Sequence, residues 1–264
     1  MKTAISFQNS VKMLHGSPAV CIDDLQIYDR ECAAFYGLTE EVVEIITNQI
    51  TGAYSPEEGN VYLFGIDSKQ MADSYWFDYI GHFAIHRNAN PFRETASIGE
   101  NIATVFRSRI RGIEEPQLSS AVLSVANLAQ LTITDLSRTI GDAGSLLRMK
   151  AQMARTLAFK PRLIVFYEPS NDLSYGVTRK LIDLIRRTRR KLKYTALLFT
   201  SDVRLLQELA DRVFFLNPFT GVVVENELRE WYHNLLPFLK PSPSKLLQLA
   251  RNILQYGDFG KTTV

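Results

Sequence analysis

The sequence predicts an α/β protein built around a mostly parallel β-sheet, and three features carry that expectation. "RLIVFYEP" and "TALLFTS" are apolar without alternation, as strands buried on both faces are. Amphipathic stretches of helical length, "VTRKLIDLIRRTRRK" and "VRLLQELADR", follow each of them. Strand, helix, strand, helix in that order needs crossover connections, which make neighbouring strands parallel and cover both faces of the sheet.

The remaining elements fit around that frame. "AISFQNS", "VCIDDLQIY" and "CAAFYG" alternate or run apolar and predict three strands. "EEVVEIITNQITG" has helical spacing through Val42, Ile45, Ile46 and Gln49, and Gly52 ends it. "AYSPEEGNVYLFG" is a Pro-Gly turn feeding a strand, and "YIGHFAI" is another strand. From about Ser97 to Ala129 the chain reads helical, and "VFFLNPFTGVVVE" reads as a hairpin. Beyond Leu228 the composition turns aromatic and proline-rich. "KPSPS" there forms a short linker to an amphipathic helix, Lys245 to Tyr256, whose stripe Leu246, Leu249, Ala250, Ile253 and Leu254 favours an interface.

Composition bounds the function classes. The chain has 264 residues, 46% of them hydrophobic, enough for one large domain or one domain with a small appendage. Its 30 basic and 28 acidic residues leave a net charge of +2, too balanced to argue for a nucleic-acid protein. Cys21 and Cys32 make no disulfide framework, the N-terminus lacks the apolar run of a signal peptide, and no stretch is long and apolar enough to span a bilayer. A cytosolic location is expected. His82 and His86 straddle a strand end with no third ligand in view, so no metal site is expected there. "RRTRRKLK", Arg186 to Lys193, is expected to be a solvated run favoured by a helix C-terminus.

"FYGLTEEVVEII" has the layout of a phosphate cradle: a strand end, one glycine, then a helix. Further on, "ITGAYSPEEGNVYLFG", "YIGHFAI", "TASIGENIA", "KAQMARTLAFKPRLIVFYEPSNDLS" and "LLFTSDVRLLQELADRVFFL" follow in an order that resembles the nucleotide-binding domain of an ABC transporter. The resemblance covers nearly all of residues 1–228. It implies a P-loop NTPase-like domain with a mostly parallel sheet, an antiparallel β subdomain, a helical subdomain at about 90–150, and residues 229–264 as a C-terminal helical appendage. It also implies a permease partner, a homodimer or a heterodimer with another ATPase subunit, and a peripheral position on the inner face of the cell membrane through that permease. "SDVRLLQELADRVFFL", "KPSPSKLLQLA" and "FYEPSNDLS" look most like Mla-type lipid-trafficking ATPase subunits.

The family's motifs can be carried over position by position. A P-loop has the form G-x-x-x-x-G-K-[ST], whose backbone N–H groups wrap phosphates while the lysine neutralises them. Gly37 matches the first glycine, and a gapless count from Gly52 puts Val42 at the second glycine, Val43 at the lysine and Glu44 at the Ser/Thr. Ile85 falls on the Q-loop glutamine and Leu14 on the adenine-stacking aromatic. The signature becomes Ala143-Gly144-Ser145-Leu146-Leu147, in which Ser145 alone is suited to reach a γ-phosphate. Tyr167 stands for the Walker B aspartate, Glu168 for the general base, Ser174 for the D-loop aspartate and Ser201 for the switch histidine. Of these catalytic positions only Glu168 matches, and it is expected to hold a loop through hydrogen bonds. Thr39 is placed to cap the helix, with Glu40, Glu41 and Glu44 occupying its positive end.

The resulting expectation is a subunit that is not an enzyme, a scaffold or regulator of a transporter that needs no cofactor. The alternative is an active but divergent ATPase that uses Mg-ATP to energise transport, lipid transport included. A third reading is a soluble regulator with no transporter attached.

Overall fold

The computed structural model describes residues 2–14, 17–70, 80–83, 91–158, 160–216 and 223–226. The tail beyond Asn226, with its expected helix and interface stripe, lies outside the described residues. So do Ile85 and His86.

Two long strands, β1 (Thr3–Leu14) and β2 (Ser17–Tyr28), form an antiparallel ribbon. After β3 (Cys32–Tyr36) comes helix α1 (Glu40–Thr51), then β4 (Glu58–Leu63), β5 (Ile66–Asp67) and β6 (Ile80–Phe83). Four helices follow: α2 (Ile98–Arg109), α3 (Glu115–Leu128), the short α4 (Ile133–Ser137) and α5 (Ser145–Ala158). Strand β7 (Leu163–Tyr167), helix α6 (Tyr175–Leu192), strand β8 (Thr195–Thr200) and helix α7 (Val203–Leu209) lead to the hairpin β9 (Arg212–Leu216) and β10 (Val223–Asn226).

The strands make two sheets. One is antiparallel, in the order β2-β1-β4-β5; the other runs β10-β9-β3-β8-β7-β6. In the second, β3, β6, β7, β8 and β9 are parallel and β10 alone is antiparallel. The mostly parallel sheet, the antiparallel layer and the helical insertion expected from the sequence are all present.

Strand alternation divides the core. In β3, Cys32 and Ala34 face one side of the parallel sheet, where α2, α3, α5, α6 and α7 pack, while Ala33 and Phe35 face the other. On that second side Phe35 stacks between Phe199 and Phe214, at 5.1 Å from each ring. Helix α1 lies there too, between the parallel sheet and the antiparallel one, and buries Val43, Ile45, Ile46, Thr47, Gln49 and Ile50. The sequence spacing had given α1 a single face through Val42. Being covered from two sides is the reason Val43 and Ile50 are buried as well.

The basic run of α6 is also more structured than expected. The Arg186 guanidinium bonds the Glu208 carboxylate and its backbone carbonyl (3.1 and 2.9 Å to the latter). Arg189 reaches Asp211 at 2.9 Å and the Arg30 carbonyl at 3.0 Å. One side of the run therefore ties α6 to α7 and the start of β9, while Arg187, Arg190, Lys191 and Lys193 stay exposed.

Several carboxylates sit in such pairs. The Arg179 and Arg186 side chains hold Glu208 below its usual range, Arg212 does so for Glu225, and Lys12 for Glu57. A depressed folded pKa adds stability above the unfolded value of about 4.3, and that stability is lost as pH falls through the folded value. The urea midpoint is therefore expected to stay level from pH 7 to about pH 5 and to fall steeply below about pH 4. A midpoint that climbs on acidification would show these pairs to be unformed in solution.

Candidate functional site

Three strand ends meet at the carboxyl edge of the parallel sheet, the edge at which α/β folds bind ligands. From β3 the chain turns through Gly37, Leu38 and Thr39 into α1. Gly37 has a φ of 67°, a conformation that favours glycine, and an added Cβ would meet nothing within 4 Å. Its N–H donates to the Thr200 carbonyl at 3.2 Å, which fastens the turn to the end of β8.

Glu168 follows β7 with a φ of 38°, strained for a residue that is not glycine. Its N–H donates to the Phe199 carbonyl at 2.8 Å. One carboxylate oxygen accepts from the Ser201 N–H and hydroxyl, both at 2.8 Å, and the other accepts from the Thr200 hydroxyl at 3.1 Å. The Thr200 hydroxyl in turn accepts from the Asp202 N–H at 3.0 Å, and the Asp202 carboxylate caps α7. Nearby, burial and then the Glu168 charge raise the Tyr36 phenol above its usual pKa.

The structure thus brings Gly37, Glu168 and Ser201 together, as the sequence positions imply, and Glu168 is bonded to the loop after β8. Thr200 joins them and had gone unremarked; its signal was a hydroxyl pair and an acid, "TSD", ending a strand. Val42, Val43 and Glu44 all lie inside α1, whose cap is Thr39, accepting from the Val42 N–H at 3.4 Å. Val43 is 2% exposed and belongs to the core, while Glu44 is exposed. Tyr167 is likewise buried, on the α1 side of the sheet. Ser174 is exposed at the start of α6, where its side chain makes no capping bond.

Gly144 and Ser145 are not part of this cluster. They stand at the amino end of α5 and line a depression of about 400 Å³ together with Asp135, Arg138, Leu146, Leu147 and Lys150. Among the described residues no group of three or more His, Cys, Asp or Glu is arranged to hold a metal ion.

A nucleotide fits this edge only in part. The open space at Gly37 and the helix start suit a phosphate. Against that, Glu40, Glu41 and Glu44 are exposed on the first turns of α1, and Arg204 is already paired with Asp202 at 2.7 Å. The charge of a triphosphate has to be met by its Mg²⁺ and by cations from outside this turn.

Known proteins place the chain in a clear context. No protein-family model matches it. It is 28% identical over 173 residues to the methionine import ATP-binding protein MetN 1 of Burkholderia pseudomallei, covering 64% of this chain and 48% of that protein. It is 27% identical over 241 residues to the sulfate/thiosulfate import ATP-binding protein CysA of Methylococcus capsulatus, covering 89% and 67%. The chain thus spans about half the length of the MetN 1 protein it matches. Its fold is that of ABC ATPase cassettes. The structure of cbiO1 from Clostridium perfringens, part of the ABC transporter complex cbiONQ, aligns with a TM-score of 0.77 at 14% identity, covering 95% of this chain and all of that one. The ATP-binding cassette MJ0796 bound to ADP and Pi gives 0.68 at 20%, covering 85% and 99%.

These relatives overturn the expectation that the chain is not an enzyme. Proteins named for ATP binding in import match it along most of its length. That expectation rested on gapless counts from Gly52 and from "ARTLA", and on Ile85, Tyr167, Ser174 and Ser201 standing at the family's other catalytic positions. Such counts identify residues at aligned positions, but they do not establish which groups meet a phosphate when α1 begins as early as Glu40.

Proposed function

We propose that the chain is an ATP-binding subunit that energises an ABC transporter, taking Mg-ATP at the carboxyl edge where Gly37, Glu168 and Ser201 meet. The observation that supports this most is the similarity to import ATP-binding proteins along most of the chain, on a cassette fold. In this reading a permease is its membrane partner, a second cassette pairs with it, and it sits on the inner face of the membrane through the permease. No helix among the described residues is long and apolar enough to cross a membrane. The kinship with Mla-type lipid-trafficking subunits belongs to the same proposal and rests on short stretches, one of which, "KPSPSKLLQLA", lies outside the described residues.

The charge pattern sets the expected affinity. At an effective dielectric near 20, each unit charge at 4 Å counts for about 4 kcal/mol, so a turn that exposes carboxylates and buries Val43 binds a triphosphate weakly. Mg-ATP in the millimolar range is therefore expected to raise the melting temperature, and micromolar Mg-ATP is not. Glu168→Gln should keep that shift and lose hydrolysis, because a carboxamide keeps the shape of the side chain without its basicity. No melting shift at millimolar Mg-ATP, together with no hydrolysis above a heat-inactivated control, would refute the proposal.

A further inference from the structure

The depression at the amino end of α5 has two walls. Asp135 and Arg138 belong to the segment before α5, Ser145, Leu146, Leu147 and Lys150 to α5 itself, and Gly144 immediately precedes it. On the rim, Lys150 Nζ donates to the Gln130 carbonyl at 2.7 Å, while Gly144 and Ser145 are exposed and a Cβ at Gly144 would touch nothing within 4 Å. The remaining contacts that relate the walls lie behind them.

Arg148, one turn along α5, extends its guanidinium to Glu94, with Nη2 to Oε1 at 2.6 Å and Nη1 to Oε2 at 2.9 Å. The same Nη1 donates to the Ile140 carbonyl at 3.0 Å, so one side chain joins α5 to the other wall. The loop that carries Glu94 is stitched to that wall as well. The Gly141 N–H donates to the Glu94 carbonyl at 3.0 Å, Ile140 to Ala96 at 3.1 Å, and the Ile98 N–H to Arg138 at 2.9 Å. This close approach favours glycine at position 141, where a Cβ would lie 3.0 Å from the Glu94 carbonyl oxygen. Arg148 also lies over the Phe92 ring at 5.5 Å, and Arg155, two turns further along α5, lies over it at 5.3 Å. The buried Asn101 holds the loop from the other side, accepting from the Arg93 N–H at 2.8 Å and donating to the Arg93 and Ser97 carbonyls.

We infer that Arg148 and Glu94 are positioning residues that set the separation of the two walls and the bearing of Ser145. A forked guanidinium in two carboxylate bonds has one geometry, whereas a single-point cation leaves the helix end free to swing. Phe92 and Arg155 anchor the loop independently, so removing the fork frees the depression without releasing the loop.

Hydrogen exchange on the whole chain tests this without reference to nucleotide. In Arg148→Met, amides of Gly141 to Arg148 should exchange about tenfold faster while those of β7 and β8 keep their native rates, the pattern of a local opening. Arg148→Lys should fall between, and Glu94→Gln should resemble Arg148→Met in the same peptide. Unchanged exchange from Gly141 to Arg148 in Arg148→Met overturns the inference, and so does equal acceleration in β7 and β8. A kinetic arm rests on the proposed ATP-binding role: Arg148→Met should lower kcat with KM little changed, and Arg148→Lys should restore part of it. If the wild-type chain neither hydrolyses ATP nor shifts its melting temperature with millimolar Mg-ATP, the proposed function fails, while the exchange result still decides the positioning role.

Discussion

Replacing Gly59 with alanine is expected to cost about 4 kcal/mol or more, at the top of the range for single substitutions. Gly59 is the second residue of β4 and has a φ of 73°. It lies beside an irregularity in β1, where pairing with β4 jumps between Gln8 and Val11 and Asn9 itself has a φ of 46°. A Cβ on Gly59 would fall 2.1 Å from the Asn9 carbonyl oxygen and 2.2 Å from that of Gln8, and neither backbone atom can move without breaking the β1–β4 ladder. Gly112, with a φ of 72° and nothing within 4 Å of an added Cβ, separates the two costs. Gly112→Ala carries the left-handed backbone penalty alone, about 1 kcal/mol. Urea unfolding of both variants measures the difference, and equal losses would mean that the bulge is not packed against β4 as described.

That contrast also marks what the sequence could and could not reveal. The apolar runs announced β7 and β8, because burial on both faces leaves local marks, whereas the glycine in "PEEG", read as part of a Pro-Gly turn, lies inside β4. The resemblance put Gly37, Glu168 and Ser201 at positions of one nucleotide site, and they meet because parallel strands present their carboxyl ends at one edge. The bulge at Asn9 was not, because it depends on a partner strand about fifty residues away, as register always does. Arg148 and Glu94 are 54 residues apart, and neither looks unusual among the charged residues around it. The ties of Arg186 and Arg189 were hidden for the same reason: a basic run at a helix end reads as solvated until α7 supplies Glu208 and the turn into β9 supplies Asp211. Periodicity likewise gave α1 one buried face, and only the stacking of two sheets shows that it has two.

The second buried side of α1 makes Val43→Lys the most informative substitution at the candidate site. By the gapless count it restores the family's phosphate-neutralising lysine, yet Val43 packs in the core at 2% exposure with Ile46 and Phe35 in the same cluster. An ammonium placed there either breaks the packing around α1 or loses its proton. A downward shift of three pKa units, within the range for buried lysines, corresponds to about 4 kcal/mol, and the longer side chain adds a steric cost of about 1 to 3 kcal/mol. The sign with pH follows from proton counts. A buried lysine with a depressed folded pKa binds fewer protons folded than unfolded, so the variant's deficit should shrink as pH rises from 7 toward the unfolded value of about 10.4. Denaturation in urea at pH 7 and pH 9.5, with the wild-type chain beside it, reads both the size and the slope. A variant within about 1 kcal/mol of wild type that also binds Mg-ATP more tightly would place the residue-43 side chain in the turn after β3 rather than in the core, and the weak affinity proposed for this edge would then trace to that one missing charge.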